Sequence, residues 1–320
     1  MLENFIVVAQ QVLVLFILIS LGFACGKKKI ITDVSAKHIN NLVLYFVTPC
    51  VMVSAFQRDF TPELLGGLGI MTICATAVMA ATILLVSLIF KGKDSKKRVL
   101  RFATVFSNCA FMSFPLQEAV LGDDGLFYGA VFVAVFNILV WTYGLVCMSG
   151  DIKEISAKKL ITNPGIIGVV IAIIIFALNI RLPYMIGQPV EYMAALNTPL
   201  PMMIIGYYLS EADLKKAFSN VSVYVAMGLR LVLVPVITAI VLYLCKVETT
   251  LAVACVIASA APTAATTTMF AVKYNKDTEL SVSIVAVTTV FSIITMPLVI
   301  AFAQTLTCLL YTSPSPRDCS

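Results

Sequence analysis

The sequence has few of the residues and motifs on which enzymes and metalloproteins depend. Its single histidine, His38, lies in a short basic loop, so a histidine-based metal site is excluded. The motifs H-E-x-x-H, G-x-S-x-G and the P-loop are absent. The nine cysteines include no C-x-x-C pair, and seven lie in or beside apolar segments, where cysteine acts as a small hydrophobic residue. We therefore expect no catalytic activity, no metal centre, no cofactor and no disulfide framework.

Charged residues are also scarce: they make up 12% of the 320 residues, whereas 60% are hydrophobic, and the mean hydropathy is +0.99. No soluble globular domain needs so much apolar surface, so the composition indicates a multi-pass protein of the lipid bilayer. The net charge of +5 is modest and its cations concentrate in loops, which disfavours nucleic acid as a partner. The first apolar segment follows no basic residues, so we interpret it as a retained span rather than a cleaved signal peptide.

Apolar windows predict about ten membrane spans, most of them long enough for a bilayer of about 30 Å. Their approximate cores are Phe5–Ala24, Ile39–Phe56, Leu64–Phe90, Phe102–Leu121, Leu126–Met148, Gly165–Leu178, Val190–Leu209, Val221–Leu244, Leu251–Val272 and Leu280–Ala303. The segment 149–163 is predicted to be a cytoplasmic linker. The last segment, 307–320, continues none of these patterns, resembles stray translated sequence and is assigned no function.

The distribution of positive charge predicts the orientation of the spans. The odd-numbered connections hold 17 of the 22 lysines and arginines, whereas the even-numbered connections hold Arg58, Arg181 and Lys246. Because basic loops stay on the cytoplasmic side, both termini are expected outside. The expected location is the plasma membrane, which for a bacterial protein is the inner membrane.

Ten spans whose first span begins outside the cell divide into two halves of five helices, residues 1–148 and 164–306. The two halves have opposite orientations in the membrane. This is the arrangement of inverted-repeat transporters, such as the sodium–proton antiporter and bile-acid transporter folds. Sequence echoes support it: the second span of each half contains Thr-Pro, at Thr48 and at Thr198. The predicted fold class is therefore an all-α membrane protein of two inverted five-helix repeats.

The fourth and ninth spans are predicted to be broken. Pro115 in the fourth and Pro262 in the ninth each remove a backbone donor and clash with the preceding turn, so the helix must kink or open there. Opened backbone at membrane depth must line protein or a water-filled cavity, because lipid satisfies no polar group. We expect the two spans to cross at their breaks and to form a binding site there; the alternative is a pair of kinked structural helices.

Uncharged polar residues cluster near both breaks. They are Asn108, Thr263 and the three consecutive threonines Thr266–Thr268. The N-terminal ends of opened half-helices nearby carry partial positive charge. Two such ends can hold a carboxylate, to which Asn108 can donate two hydrogen bonds. Asn137 and Asn41, on other spans, are weaker candidates for the same cavity. The alternative interpretation of all these residues is packing and hydrogen bonding between helices.

The two ionisable residues best placed within spans are Glu118 and Arg230. Arg230 can pair with Glu118, contact an anionic substrate or extend towards the membrane surface, and Glu118 can carry a coupling proton. Paired acids within the spans, which are typical of proton relays, are missing, and their absence disfavours ion antiport.

Two motifs resemble one transporter family. The segment F-S-N-C-A-F-M-S-F-P-L at Phe106–Leu116, with an asparagine seven residues before a proline, resembles the fourth-helix motif of the auxin efflux carrier family. The segment A-P-T-A-A-T-T-T-M-F-A-V-K-Y-N at Ala261–Asn275, followed by T-T-x-x-S-x-x-T-M-P at Thr288–Pro297, is similar to the last two helices of that family. The chain lacks the long central loop of the plant exporters and resembles a compact bacterial member.

The resemblance implies a fixed scaffold of helices 1, 2, 6 and 7 beside a mobile bundle of helices 3–5 and 8–10. It also implies a carboxylate at the crossing of helices 4 and 9, with Asn108 as the substrate-binding asparagine and with Pro115 and Pro262 shaping the breaks. Bacterial relatives are described as malate or malonate permeases. We therefore expect an elevator-like transporter of small organic anions, such as malate, malonate or auxin-like acids, that forms a homodimer. The alternatives are a sodium- or proton-coupled antiporter or bile-acid-type symporter, and a membrane receptor that does not transport.

Overall fold

The computed structural model describes residues 2–310, which form helices joined by short connections. In chain order the α-helices are α1 (Leu2–Lys27), α2 (Asp33–Leu42), α3 (Thr48–Ala55), α4 (Pro62–Ile89), α5 (Ser95–Val105), α6 (Ser113–Leu121), α7 (Asp123–Leu139), α8 (Leu145–Ser149), α9 (Ala157–Ile161), α10 (Pro164–Ala177), α11 (Tyr184–Ala195), α12 (Pro199–Glu211), α13 (Leu214–Ser219), α14 (Val221–Gly228), α15 (Val234–Leu244), α16 (Thr249–Ala260), α17 (Thr266–Lys273) and α18 (Thr278–Leu310). α18 thus includes the first residues of the predicted tail, and the rest of that tail lies outside the described residues.

Six helical segments of the described chain are long and apolar enough to cross a membrane. They are Phe5–Lys27, Asp33–Ala55, Pro62–Ile89, Asp123–Ser149, Val221–Leu244 and Thr278–Thr307. They coincide with the first, second, third, fifth, eighth and tenth predicted spans. The other four predicted spans fall on shorter or interrupted helices: α5 with α6, α10, α11 with α12, and α16 with α17. The structure therefore confirms an all-helical, multi-pass membrane protein, and the count of ten spans stays a prediction.

Three of the long segments contain a π-helical turn, at Val43–Val47, Val140–Gly144 and Leu229–Leu233. The first and third turns lie just before a Thr-Pro or Val-Pro pair, at Pro49 and Pro235. Proline cannot donate the usual helical hydrogen bond and crowds the carbonyl four residues earlier, so the helix widens there.

Polar caps mark where several helices begin. The side chains of Thr61, Asp94 and Asn163 each accept a hydrogen bond from the backbone N–H three residues later. Pro62 and Pro164 follow two of these caps, at the first helical position, where the missing N–H has no partner to lose. The bond from the Lys97 backbone also lowers the pKa of the Asp94 carboxyl in its loop.

The first helix of each predicted half packs against the second span of the other half. α1 packs along α12, and α10 packs along α3. Both contacts depend on glycine. A methyl group on Gly206 of α12 would collide with the backbone of Ile19 in α1. A methyl group on Gly168 of α10 would lie 2.8 Å from the Cα atom of Pro49 in α3. Small residues of this kind let membrane helices approach closely.

Candidate functional site

Two helices are interrupted in the middle of the molecule. The first interruption spans residues 106–112, between α5 and α6, and the second spans residues 261–265, between α16 and α17. Pro262 lies inside its interruption, as expected. Pro115 does not: it occupies the third position of α6, and the chain is already non-helical for seven residues before that helix. The sequence thus predicted the break but placed it too late, because a proline in the first turn of a helix begins that helix rather than opening it.

The two interruptions are hydrogen-bonded to each other. The backbone N–H of Asn108 donates to the carbonyl of Pro262 at 2.7 Å, and the N–H of Ala264 donates to the carbonyl of Phe106 at 2.9 Å. These bonds form an isolated antiparallel bridge between Ser107 and Thr263. The predicted contact between the fourth and ninth spans is therefore present, and we call this region the crossing.

Arg230, in the third π-helical turn, binds the ends of both first half-helices. It is 2% exposed, and its guanidinium donates to the carbonyls of Thr104 and Val105 at the end of α5, at 3.1 and 3.4 Å. It also donates to the carbonyls of Ser259 and Ala261 at the end of α16. The C-terminal end of a helix carries partial negative charge, so a cation there is favourable.

These contacts argue against two of the roles expected for Arg230, the ion pair with Glu118 and the extension to the membrane surface, and its contact with an anionic substrate stays a prediction. Its guanidinium is engaged by four backbone carbonyls, and none of the ion pairs among the described residues joins it to Glu118. It does not reach the surface either, since it is almost wholly buried. The sequence could not reveal this, because the four carbonyls belong to residues 29 to 126 positions away.

Asn108 lies at the crossing with its backbone bonded and its side chain free. Its N–H and C=O take part in hydrogen bonds to Pro262 and Met112, and the residue is 6% exposed. Within residues 2–310 its side-chain amide has no hydrogen-bond partner. A nearly buried amide with free donors is suited to hold a ligand.

The second half-helices begin at the crossing without side-chain caps. Met112 precedes α6 and Ala265 precedes α17, and neither supplies a cap hydrogen bond. Near the start of α17, the hydroxyl of Thr266 is buried and has no partner in the described part of the chain. Pro115 has no N–H, and the N–H groups of Thr267 and Thr268 donate to the carbonyls of Ala264 and Ala265, so few backbone donors remain at these two ends. Both ends still carry the partial positive charge of a helix N-terminus at the crossing.

The other predicted site residues have different surroundings. The hydroxyl of Thr263 donates to the carbonyl of Ala103 at 3.0 Å, so it joins the ninth span to α5. The amide of Asn137 donates to Val133 of its own helix, at 3.0 Å. Asn41 is exposed on α2, outside the hydrogen bonds of the crossing. The role of all three in binding stays a prediction.

Three polar residues in or near the crossing were not proposed as site residues from the sequence, although Ser113 and Gln117 are polar residues of the predicted fourth span. Gln117 is buried on α6 and donates to the carbonyl of Ala254, and Ser113 donates to that of Ile257, so both join α6 to α16. Asn197, in the turn between α11 and α12, donates to the carbonyl of Ala110 at 3.2 Å. A signal did exist for Asn197, since it directly precedes the Thr-Pro pair at Thr198 that matches the one at Thr48 in the first half.

A cavity of about 400 Å³ lies beside α6, on the side of Pro115 and Glu118. Its walls come from α3, α6, α7, α11 and the turn that contains Asn197. Glu118 and Glu191 both line it, so the fold brings together two acids that lie on different predicted spans. The absence of paired acids within the spans stays a prediction.

Comparison with known proteins agrees with these observations. The family model described as membrane transport protein matches residues 7–157 and 148–300. The chain is 26% identical over 301 residues to an uncharacterized transporter of the archaeon Methanocaldococcus jannaschii, and 22% identical over 293 residues to one of Methanothermobacter thermautotrophicus. Each alignment covers 90% of this chain and 96% of the relative.

Proposed function

Because the chain belongs to the membrane transport protein family, that of the auxin efflux carriers, we propose that it is a secondary transporter of small organic anions. The substrates are carboxylates such as malate, malonate or auxin-like acids. The observation that carries the proposal is the free side-chain amide of Asn108 at the crossing of two interrupted helices.

The electrostatics of the crossing favour an anion. The C-terminal ends of α5 and α16 carry partial negative charge, which repels anions. Arg230 already neutralises that charge by donating to their carbonyls. The uncapped N-terminal ends of α6 and α17 remain, and they attract a carboxylate. Interrupted helices with their N-terminal ends directed at an anionic group are a recurrent feature of secondary transporters.

We also infer the two inverted repeats and the elevator-like movement. The reciprocal packing of α1 on α12 and of α10 on α3 supports the repeat, because a two-fold relation between halves exchanges these two contacts. In this arrangement α1, α3, α10 and α12 belong to the scaffold, and the crossing belongs to the mobile bundle. The halves are residues 1–148 and 164–306, joined by the linker 149–163, and the scaffold is the surface expected to form a homodimer.

The proposed orientation places the termini outside the plasma membrane and the basic loops inside. Cys245 then lies outside, since it follows α15 in an even-numbered connection, and it is exposed. We expect a membrane-impermeant maleimide to modify Cys245 in intact cells and Cys25, beside the first basic loop, only after permeabilisation. Mass spectrometry of the two peptides measures this, with Cys245→Ser as the control. The reverse pattern would mean that the orientation is inverted.

Counterflow in proteoliposomes tests the proposed transport. Vesicles loaded with unlabelled malate, malonate or indole-3-acetate are diluted into a trace of the labelled acid. For at least one of the acids we expect a transient accumulation of label that protein-free vesicles do not show. A thermal-shift screen with the same acids identifies the ligand, since a ligand that binds the folded state raises its stability. Binding without counterflow would favour a receptor and contradict the proposal.

A further inference from the structure

A long apolar groove lies between α4 and α15, on the outer surface of the helical protein. It encloses a volume of about 620 Å³. Its sides carry exposed apolar residues, among them Ile73 at 71% and Val241 at 47% exposure. Both helices belong to segments that are long and apolar enough to cross a membrane. α16 packs against both of them, so the groove opens on the opposite side, towards lipid.

The walls of the groove offer no free strong hydrogen-bonding group. The lining residues are aliphatic apart from two cysteines and two threonines. The hydroxyls of Thr82 and Thr238 each donate, at 2.8 Å, to a carbonyl one turn earlier in the same helix, that of Val78 or Val234. A carboxylate or a row of waters would lose hydrogen bonds in such surroundings, which is costly. The lining therefore favours an apolar chain as its occupant.

The groove is long enough for a lipid acyl chain. Its lining residues extend from Ile70 to Leu85 on one side and from Val234 to Val247 on the other. At a rise of about 1.5 Å per residue, the side formed by α4 is about 22 Å long. One leaflet contributes about half of a hydrocarbon core of roughly 30 Å, or about 15 Å. A chain that enters from one leaflet therefore stays inside the groove over the whole depth of that leaflet.

One end of the groove carries a positive charge. Lys246 lies between Cys245 and Val247, which both line the groove, and the lysine is exposed. None of the ion pairs among residues 2–310 includes it. The nearby acid Glu248 uses both carboxylate oxygens to cap the start of α16. Lys246 is therefore free to attract an anionic group at the mouth of the groove.

Lys246 differs in this respect from the two other cations of the even-numbered connections. Arg58 is paired with Asp124 at 2.5 Å, and Arg181 is paired with Asp59 at 2.7 Å. On this side of the protein, the free cation thus lies at the end of the apolar groove. An apolar channel that ends at a cation matches a molecule with an apolar chain and an anionic head.

We propose that the groove binds one acyl chain of a membrane phospholipid and that Lys246 binds the phosphate of its headgroup. The chain supplies the dispersion contacts that an empty groove would forfeit. A lysine close to the membrane surface attracts anionic lipid, with a free energy of about 1 kcal/mol. The phospholipid is thus a bound ligand at a defined position, in contrast to the lipid that surrounds every membrane protein.

The position of the groove gives the lipid a role in the transport movement, and this step alone rests on the proposed function. α4 forms the third span of the first half, and α15 belongs to the third span of the second half, so both lie in the proposed mobile bundle. Their direct contact is slight. The bound chain fills the space between them and lets the bundle move as one body.

Thermal unfolding of the purified, delipidated full-length protein in detergent tests the site without any carboxylate substrate. We expect dioleoylphosphatidylglycerol to raise the midpoint in a saturable way, since it binds the folded state. Dihexanoylphosphatidylglycerol has the same headgroup but chains too short to fill the groove, and it should give no rise at the same concentration. Native mass spectrometry of the protein before delipidation should show one retained phospholipid per chain.

Variants that fill the groove identify its position. Ala77→Phe and Ala81→Phe each place a ring inside the lining, and both should abolish the retained lipid and the rise in midpoint. Ala80→Phe adds the same ring at an exposed position of α4 outside the lining and should preserve both. Lys246→Gln should raise the half-saturating lipid concentration about 5-fold, equivalent to roughly 1 kcal/mol.

Three results would overturn the proposal. The first is a wild-type protein that retains no phospholipid and shows no saturable rise, a measurement that does not depend on any variant. The second is retention in Ala77→Phe and Ala81→Phe equal to that of the wild type. The third is a change from dimer to monomer in these two variants with lipid retention unchanged, which would mean that the groove contacts a second copy of the chain. None of these results depends on counterflow of the anion, so the two proposals fail separately.

Discussion

Replacement of Arg230 by methionine is expected to destabilise the protein strongly, because it leaves four buried carbonyls without a donor. The guanidinium binds carbonyls at the ends of α5 and α16, and methionine fills a similar volume without a hydrogen-bonding group. Removal of the charge also removes the free energy spent on burying it, but the four carbonyls remain in an apolar interior.

The size of this effect follows from the cost of an unpaired buried acceptor, about 1–3 kcal/mol each, which is not additive for groups in one network. We expect a loss of about 3 kcal/mol or more in the free energy of unfolding. For a chain of this size that corresponds to a midpoint lower by roughly 5–10 °C, or to protein that is not recovered in monodisperse form.

The midpoint of thermal unfolding and the size-exclusion profile in detergent measure this result. Arg230→Lys keeps the charge but lacks the planar fork that reaches two helix ends, so an intermediate loss is expected. Val232→Met, at an exposed position of the same π-helical turn, is the matched control and should behave like the wild type. If Arg230→Met unfolded at the wild-type temperature, Arg230 would not be the residue that joins the two half-helices.

Replacement of Asn108 by alanine is expected to abolish or strongly weaken substrate binding while the fold persists. The crossing is held by the backbone N–H of residue 108, which alanine retains. What is lost is a side-chain amide with two donors. Hydrogen bonds to a charged group are worth about 1.5–3 kcal/mol each, so affinity for the carboxylate should fall roughly 10-fold or more.

Concentration-dependent counterflow and the ligand-induced thermal shift, compared with the unfolding midpoint without ligand, separate binding from folding. Asn108→Asp is a charge test: a carboxylate there repels an anion and should reduce binding further, whereas a cationic substrate would bind more tightly. Gln10→Ala removes an amide side chain from an exposed position of α1 and should leave uptake unchanged. Saturable uptake of normal affinity in Asn108→Ala would contradict the assignment of the site.

Much of the fold could be predicted from the order of the residues. Long apolar segments divided by basic loops predict membrane helices, and six of them are present as uninterrupted spans of sufficient length. Breaks in the fourth and ninth spans were predicted because proline and short polar residues are unfavourable in a membrane helix. The position of the first break was not, since Pro115 begins α6 and the chain opens at Phe106 instead.

The partners of polar side chains could not be predicted in the same way. A hydrogen bond such as that from Asn197 to Ala110, or from Gln117 to Ala254, joins residues 87 or 137 positions apart. Sequence patterns describe the period of a helix and the charge of its loops, but they contain no distance between distant spans. For this reason the sequence did not show that Glu118 and Glu191 line one cavity.

The sequence by itself determined that this protein is a helical membrane protein, that its fourth and ninth spans are interrupted, and that Asn108 lies beside one of these interruptions. These properties follow from local chemistry: apolar length, charge at the loops and the loss of backbone donors at proline. Only the tertiary structure decided that Arg230 serves two helix ends, that the side chain of Asn108 is left free, and that two acids face one cavity. Each of these depends on which backbone groups already have partners, and that is settled only when distant helices pack together.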